Sequence, residues 1–210
     1  MFLIYDTETT GLPKNWNAPL TDSENWPRIV QLAWQLHDEN GKLLSRGNRI
    51  IKPDGFTIPF QSVKVHGITS EIAQEEGLSL KEVIEEFSKD LERATYVIGH
   101  NIEFDVSVLG AELHRLGMEL EPLMKKPSIC SKDESTEFCA IPGGRGGKFK
   151  WPTLMELHTK LFNKGIMDAH DAAYDVDATA RCFFELCKLG VIGRPEIKDR
   201  SKIAYEAPVL

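Results

Sequence analysis

A chain of 210 residues, 41% hydrophobic and 27% charged, has room for one sizeable globular domain and is too short for two full ones. Its 32 acidic against 25 basic residues give a net charge of −7, which excludes a protein that coats nucleic acid by phosphate attraction but not one that grips only a strand end. The apolar opening, residues 2–5, is too short for a signal or membrane segment, and Cys130, Cys139, Cys182 and Cys187 lack C-x-x-C spacing, so the expectation is a cytoplasmic protein with free thiols and no membrane partner.

The stretch MFLIYDTETTG predicts a first strand that ends in acids. RIVQLAWQLHD and LLSRGNRIIKP follow as strands joined by the turn ENGK at 39–42, a hairpin signal. A helix is expected from Ser79, where Glu82 completes a capping box and Leu80, Val83, Ile84, Phe87 and Leu91 form an apolar stripe. TYVIGH reads as a strand, and Asn101 caps a helix that runs to about Leu116 and stops at Gly117. A shorter helix starts at Thr153 with Glu156 as its box partner, and a last one spans 172–189 before Gly190. There is no internal repeat, and residues 191–210 lose periodicity, so the expected organisation is a domain over 1–190 with a C-terminal arm. Strands first and alternating helix and strand later indicate an α/β fold, a mixed sheet flanked by helices.

Three D-x-E pairs occur, Asp6/Glu8, Asp22/Glu24 and Asp90/Glu92. The second sits in a polar loop and the third lies off a helix's apolar stripe, so both are expected to be solvated. Asp6 and Glu8 abut an apolar strand, where residues two apart share a face. Asp105 extends the stripe of Leu109, Leu113 and Leu116, whereas Glu103 does not. Asp175 is in step with Ala178, Cys182, Leu186 and Leu189, opposite the polar face of Asp177, Arg181, Glu185 and Lys188. Asp168 and Asp171 read as helix-start residues, and His170 lies just ahead of that helix. Taken singly, each acid has a plain alternative, such as a strand end in solvent or a favourable helix-dipole position. Together, inward acids from three segments would leave unpaired carboxylates in the interior, a cost that a shared divalent cation removes. Oxygen-only ligands favour Mg²⁺ or Mn²⁺ over zinc.

DTETTG, HN-x-x-FD and H-x-x-x-x-D resemble, in order and spacing, the three motifs of the DEDDh 3′–5′ exonucleases, with the proofreading epsilon subunits of bacterial DNA polymerase III nearest in pattern. The resemblance spans about residues 1–189 and includes PRIVQLAW, VHGIT at 65–69 and KWPTLMELHTKLF. It implies a ribonuclease-H-like fold with a five-stranded mixed sheet and a site holding two Mg²⁺ or Mn²⁺ ions. By this likeness Asp6 bridges both ions, Glu8 and Asp175 bind the nucleophile-side ion and Asp105 supports through bound water. His170 is the general base, because Asp171 stands where the tyrosine variant of the family would need Tyr. The implied reaction is hydrolysis of DNA from the 3′ end to 5′-mononucleotides.

Substrate contacts implied by the likeness are Thr9 and Gly11 after the first strand, His66 in the HGI turn, and Asn101. His66 has a turn-capping alternative, and His100 is an alternative base. The loop LPKNWNAPLTDSENW is longer than the pattern requires, and its Trp16 and Trp26 stack on a base, form a lid at the site, or else pack the loop to the body. IPGGRGGKFKWP carries Arg145, Lys148 and Lys150 with no acid, a phosphate-gripping loop or a solvated linker. The expected partner is a single-stranded or frayed 3′ end of DNA, with RNA as the alternative, and the likeness implies a DNA polymerase catalytic subunit as second partner although the tail shows no clear polymerase-binding motif. Two other functions stand against this one: an inactive nucleic-acid-binding or scaffolding homologue, and phosphate transfer through an aspartyl nucleophile.

Overall fold

The opening stretch forms strand β1 (Phe2–Thr9), which a computed structural model describing residues 1–165 and 171–193 places at the centre of a five-stranded sheet. Leu3, Ile4 and Tyr5 are fully buried, so consecutive side chains meet apolar core on both faces, as a central strand requires. β2 (Ile29–His37) pairs antiparallel with β1, and β3 (Leu43–Ile50) pairs antiparallel with β2 to form one edge. The turn between them is closed by the Asp38 carboxylate, which accepts the N–H groups of Asn40 and Lys42, with Gly41 at φ 81°. β4 (Tyr96–Gly99) and β5 (Ser128–Cys130) lie parallel on the other side of β1, giving the order β3-β2-β1-β4-β5. The carboxyl ends of β1, β4 and β5 therefore share one sheet edge, where ligands of α/β sheets bind.

The helices are α1 (Phe60–His66), α2 (Ser70–Glu76), α3 (Leu80–Arg93), α4 (Ile102–Arg115), α5 (Glu121–Met124), α6 (Ser131–Glu134), α7 (Thr136–Cys139), α8 (Leu154–Phe162) and α9 (Ala172–Lys188). On one face of the sheet Leu3, Tyr5, Leu32 and Trp34 pack with Val83 and Phe87 of α3 and Val106 and Leu109 of α4. On the other, Ile4, Ala33 and Ile98 pack with Leu157 of α8 and Val176, Cys182 and Phe183 of α9. Both expected capping boxes form, at Ser79/Glu82 and Thr153/Glu156. α1, α2, α5, α6, α7 and β5 have no counterpart in the sequence reading, because segments of three to seven residues are too short to display a period. Among the described residues no helix is long and apolar enough to cross a membrane.

Several expectations need correction. Asp90 is not solvated: it is 8% exposed and accepts hydrogen bonds from the Trp34 indole N–H at 3.0 Å, the Ser45 hydroxyl at 2.7 Å and Arg93 at 2.9 Å. Three donors from two strands and the next turn offset its desolvation, and only the tertiary fold brings them together. Asn101 precedes α4 but makes no side-chain cap; it sits in the left-handed region at φ 79° and its Oδ1 accepts from Lys132 Nζ. Leu116 and Leu189 close their stripes on paper yet are exposed, since each lies past the last helical turn. Val191 and Ile192 pack in the second core, two residues beyond the expected boundary at 190, and 194–210 lies outside the described residues.

The long loop before β2 is fastened from α4. Glu112, 1% exposed, accepts from Arg28 Nε at 2.9 Å and from the Ile29 N–H at 3.0 Å, and pairs with Arg115 at 3.2 Å. Arg115 in turn donates to the Trp26 and Ser23 carbonyls, and the Trp26 indole N–H donates to Pro19 O. Trp26 is 5% exposed, so it packs the loop and is not a free lid, whereas Trp16 stays exposed with its ring 5.8 Å from that of Phe104. Removing the Glu112 carboxylate takes the charge partner from both Arg28 and Arg115 and leaves the Ile29 N–H without its acceptor. Glu112→Ala is expected to cost about 3 kcal/mol and to expose the 12–26 loop to protease, measured by thermal melting and limited proteolysis; a melting temperature within ~1 °C of wild type would contradict this account.

Candidate active site

Asp6 and Glu8 occupy the last half of β1 on the face covered by α9, across from Ala33 and Gln31 of β2. Ala33 leaves room for the helix, and Gln31 fixes where it starts. The Gln31 amide donates to Asp171 Oδ1 at 3.3 Å and to Asn48 Oδ1 at 2.9 Å, while its carbonyl accepts the Ala172 N–H at 3.3 Å. Asp171 caps α9 by accepting the Ala173 N–H at 2.9 Å. One turn on, Asp175 faces the strand. One carboxylate oxygen from each of Asp6, Glu8 and Asp175 lies within 4.8 Å of the other two.

Asp105 arrives from the opposite face. Alternation along β1 turns Thr7 toward α4, and there both its N–H, at 2.9 Å, and its hydroxyl, at 2.7 Å, donate to Asp105 Oδ1. Asp105 is 3% exposed and stands outside the group formed by the other three acids, with Oδ1 held by Thr7.

The carboxyls work against one another. Burial raises the Asp6 pKa well above its ordinary value, and the charges of Asp105, Asp175 and Glu8 raise it further. Burial and then Asp175, Asp105 and Asp171 lift Glu8 to about 8. Asp105 rises to about 7 because burial outweighs the two Thr7 hydrogen bonds that favour its charged form. A desolvated, all-oxygen group of this kind suits a hard divalent cation, which supplies the opposite charge that the fold omits.

The remaining expected residues are placed unevenly. His170 lies outside the described residues. His100 is committed elsewhere: Nε2 donates to Pro152 O at 3.0 Å, Nδ1 meets Ser131 Oγ at 3.0 Å, and burial lowers its pKa to about 4, so it has no free nitrogen for a base. His66 caps its turn through Nδ1, which accepts the Ile68 N–H at 3.1 Å; burial lowers its pKa, and it lines a hollow with Gln31 of β2, Asn48 of β3 and Asp171. The Thr9 hydroxyl donates to Gly11 O at 2.7 Å, closing the turn after β1 with Gly11 at φ 143°. Arg145 and Lys148 are exposed on a small hairpin closed by the Gly144 N–H to Lys148 O, and Lys150 is paired with Glu156. The sequence reading missed Thr7 and Gln31. The strand period gave Thr7's face but not the helix it meets, and an inward Gln in an apolar strand was the available signal for Gln31.

Comparison with known proteins agrees with this architecture. A family model described as Exonuclease (RNase_T) matches residues 3–183. The 3′-5′ exonuclease DinG of Bacillus subtilis is 29% identical over 206 residues, 97% of this chain and 19% of that protein. The DNA polymerase III subunit epsilon of Treponema pallidum is 30% identical over 112 residues, 53% of this chain and 46% of that protein. Escherichia coli exonuclease I, solved in complex with a dT13 oligonucleotide, superposes with a TM-score of 0.70 at 21% identity, over 89% of this chain and 40% of that one, and so shares the ribonuclease-H-like fold. This chain spans less than half the length of each of these three proteins. With a family match over most of its length and three acids gathered at the end of its central strand, the chain belongs to the exonuclease family.

Proposed function

We propose that residues 1–190 form a metal-dependent 3′–5′ exonuclease that hydrolyses DNA from a 3′ end and releases 5′-mononucleotides, in proofreading or repair. The observation that carries this reading is the convergence of Asp6, Glu8 and Asp175 within 4.8 Å on a fold of the exonuclease family. The names of the relatives support DNA as substrate and a DNA polymerase catalytic subunit as partner.

Asp6, Glu8 and Asp175 would hold two Mg²⁺ or Mn²⁺ ions, with Asp105, held by Thr7, supporting from the other face. The ions supply two effects when bound, a lower pKa for the attacking water and stabilisation of charge on the departing 3′ oxygen. His170, adjacent in sequence to Asp171, takes the proton from that water as it attacks the phosphorus and the bond to the 3′ oxygen breaks. Thr7 and Gln31 are positioning residues, holding Asp105 and the start of α9. Thr9, Gly11 and His66 surround the terminal nucleotide on the β2 side of β1.

In the metal-free protein, the raised pKa values of Asp6, Glu8 and Asp105 mean that the folded state holds protons which the unfolded chain has released. Stability is therefore full below the ordinary carboxyl pKa of ~4 and falls as pH rises toward about 8, the Glu8 value. In chelator the melting temperature is expected to drop across this window, and saturating Mn²⁺ is expected to restore it. A flat profile in chelator, or no effect of Mn²⁺, contradicts the cation site.

The reaction is tested with 3′-labelled single-stranded DNA, mismatched duplex and RNA side by side. Mononucleotide release from DNA should require Mg²⁺ or Mn²⁺, fall at least ~10²-fold in Asp6→Ala and fall ~10²- to 10⁴-fold in His170→Ala. Equal rates for wild type and Asp6→Ala refute catalysis at this site; faster cleavage of RNA than DNA replaces the substrate.

A further inference from the structure

The sheet edge that carries the acids continues past β1 into a second group of side chains. In the parallel register Ile4 lies beside Ile98 and Gly99 beside Cys130, so Asp6, His100 and Ser131 fall at one level across β1, β4 and β5. Lys132 comes next. Its Nζ donates to Asn101 Oδ1 at 2.7 Å and sits 4.4 Å from the centre of the Trp151 ring. Two inter-strand steps separate β1 from β5, about 10 Å, so this group flanks the acids at nucleotide scale.

The backbone that carries Trp151 is fastened on both sides. His100 Nε2 donates to Pro152 O at 3.0 Å, tying the segment to the end of β4, and Thr153 caps α8 through its box with Glu156. Lys150 holds the same Glu156 from the other side at 2.6 Å. Yet Trp151 is 65% exposed, with a cation beside its ring and Arg145 and Lys148 exposed on the adjoining hairpin. Residues 141–153 contain no acid in a chain of net charge −7. A large exposed aromatic ring on a fastened backbone, with cations beside it, is the arrangement on which single-stranded nucleic acids stack.

We propose that Trp151 and Lys132 form a stacking platform for single-stranded nucleic acid, taking a base on the 5′ side of the bond that the acid site cuts, with Lys132 against the neighbouring phosphate. This rests on the nuclease reading above. The side follows from the sheet order: Thr9 pairs with Ile29 of β2 and His66 lines a hollow with Gln31 of β2 and Asn48 of β3, so the contacts assigned to the terminal nucleotide lie on the β2 side of β1, and a strand laid across the acids continues over β4 and β5.

The test compares Trp151→Ala and Trp151→Phe in the full chain, on a ~12-nucleotide oligothymidylate and on the dinucleotide, which is too short to span both sites. For Trp151→Ala the KM on the long substrate is expected to rise ~5- to 150-fold, with a much smaller change on the dinucleotide, and Trp151→Phe is expected to recover most of the loss. An equal change on both substrates, or none on the long one, overturns the platform. If wild type cleaves neither substrate, the nuclease reading has failed separately. Anisotropy with the labelled long oligonucleotide then decides: weaker binding by Trp151→Ala but not Trp151→Phe supports the platform, and equal binding overturns it.

Discussion

Asp6 and Glu8 share one face of a strand whose preceding residues are wholly buried, so two like charges sit at the boundary of a dry core with Asp175 turned toward them. Burial lifts the Asp6 and Glu8 carboxyls, and the charges of the neighbouring acids lift them further, to about 8 for Glu8. A fold that kept such a group for its own stability would be poorly built, since apolar or paired residues would cost less. The arrangement becomes reasonable when an external charge completes it. The placement of β1 at the sheet centre and the docking of α9 bring the oxygens of Asp6, Glu8 and Asp175 within 4.8 Å of one another, and α4 adds Asp105 from the other face.

The two faces of the sheet deliver the acids by different means. On the α9 face, Gln31 uses both ends of its amide to fix the first residues of the helix, which sets Asp175 one turn in. On the α4 face, Thr7 grips one oxygen of Asp105 with two donors, so this carboxylate is oriented through the strand and not through its own helix. Consecutive residues of β1 thus work on opposite sides of the sheet. The same edge carries His100, whose ring is consumed in tying β4 to Pro152 and Ser131, and which serves the architecture in place of chemistry. That tie is what keeps Trp151 in position beside Lys132.

The family match covers most of the chain, but this chain is a fraction of the length of the DinG and epsilon proteins that it resembles. The 12–26 loop, longer than the family pattern requires, is clamped to α4 through Glu112 and Arg115.

Periodicity and local chemistry were enough for the long elements. β1 to β4, α3, α4, α8 and α9 are legible because each is long enough to show a period or carries a capping signal, and the inward stripes singled out Asp105 and Asp175 correctly. The short helices and β5 were not legible, because a few residues show no period. Asp90 was misread since its donors, Trp34 and Ser45, are more than forty residues away. By itself the sequence determined that Asp6, Glu8, Asp105 and Asp175 point inward, through the turn angles of helix and strand, but not that Asp90 and Glu112 do. Only the tertiary structure decided that Asp6, Glu8 and Asp175 meet while Asp105 is held by Thr7 on the other face, because that depends on strand order and helix docking, which pair residues distant along the chain.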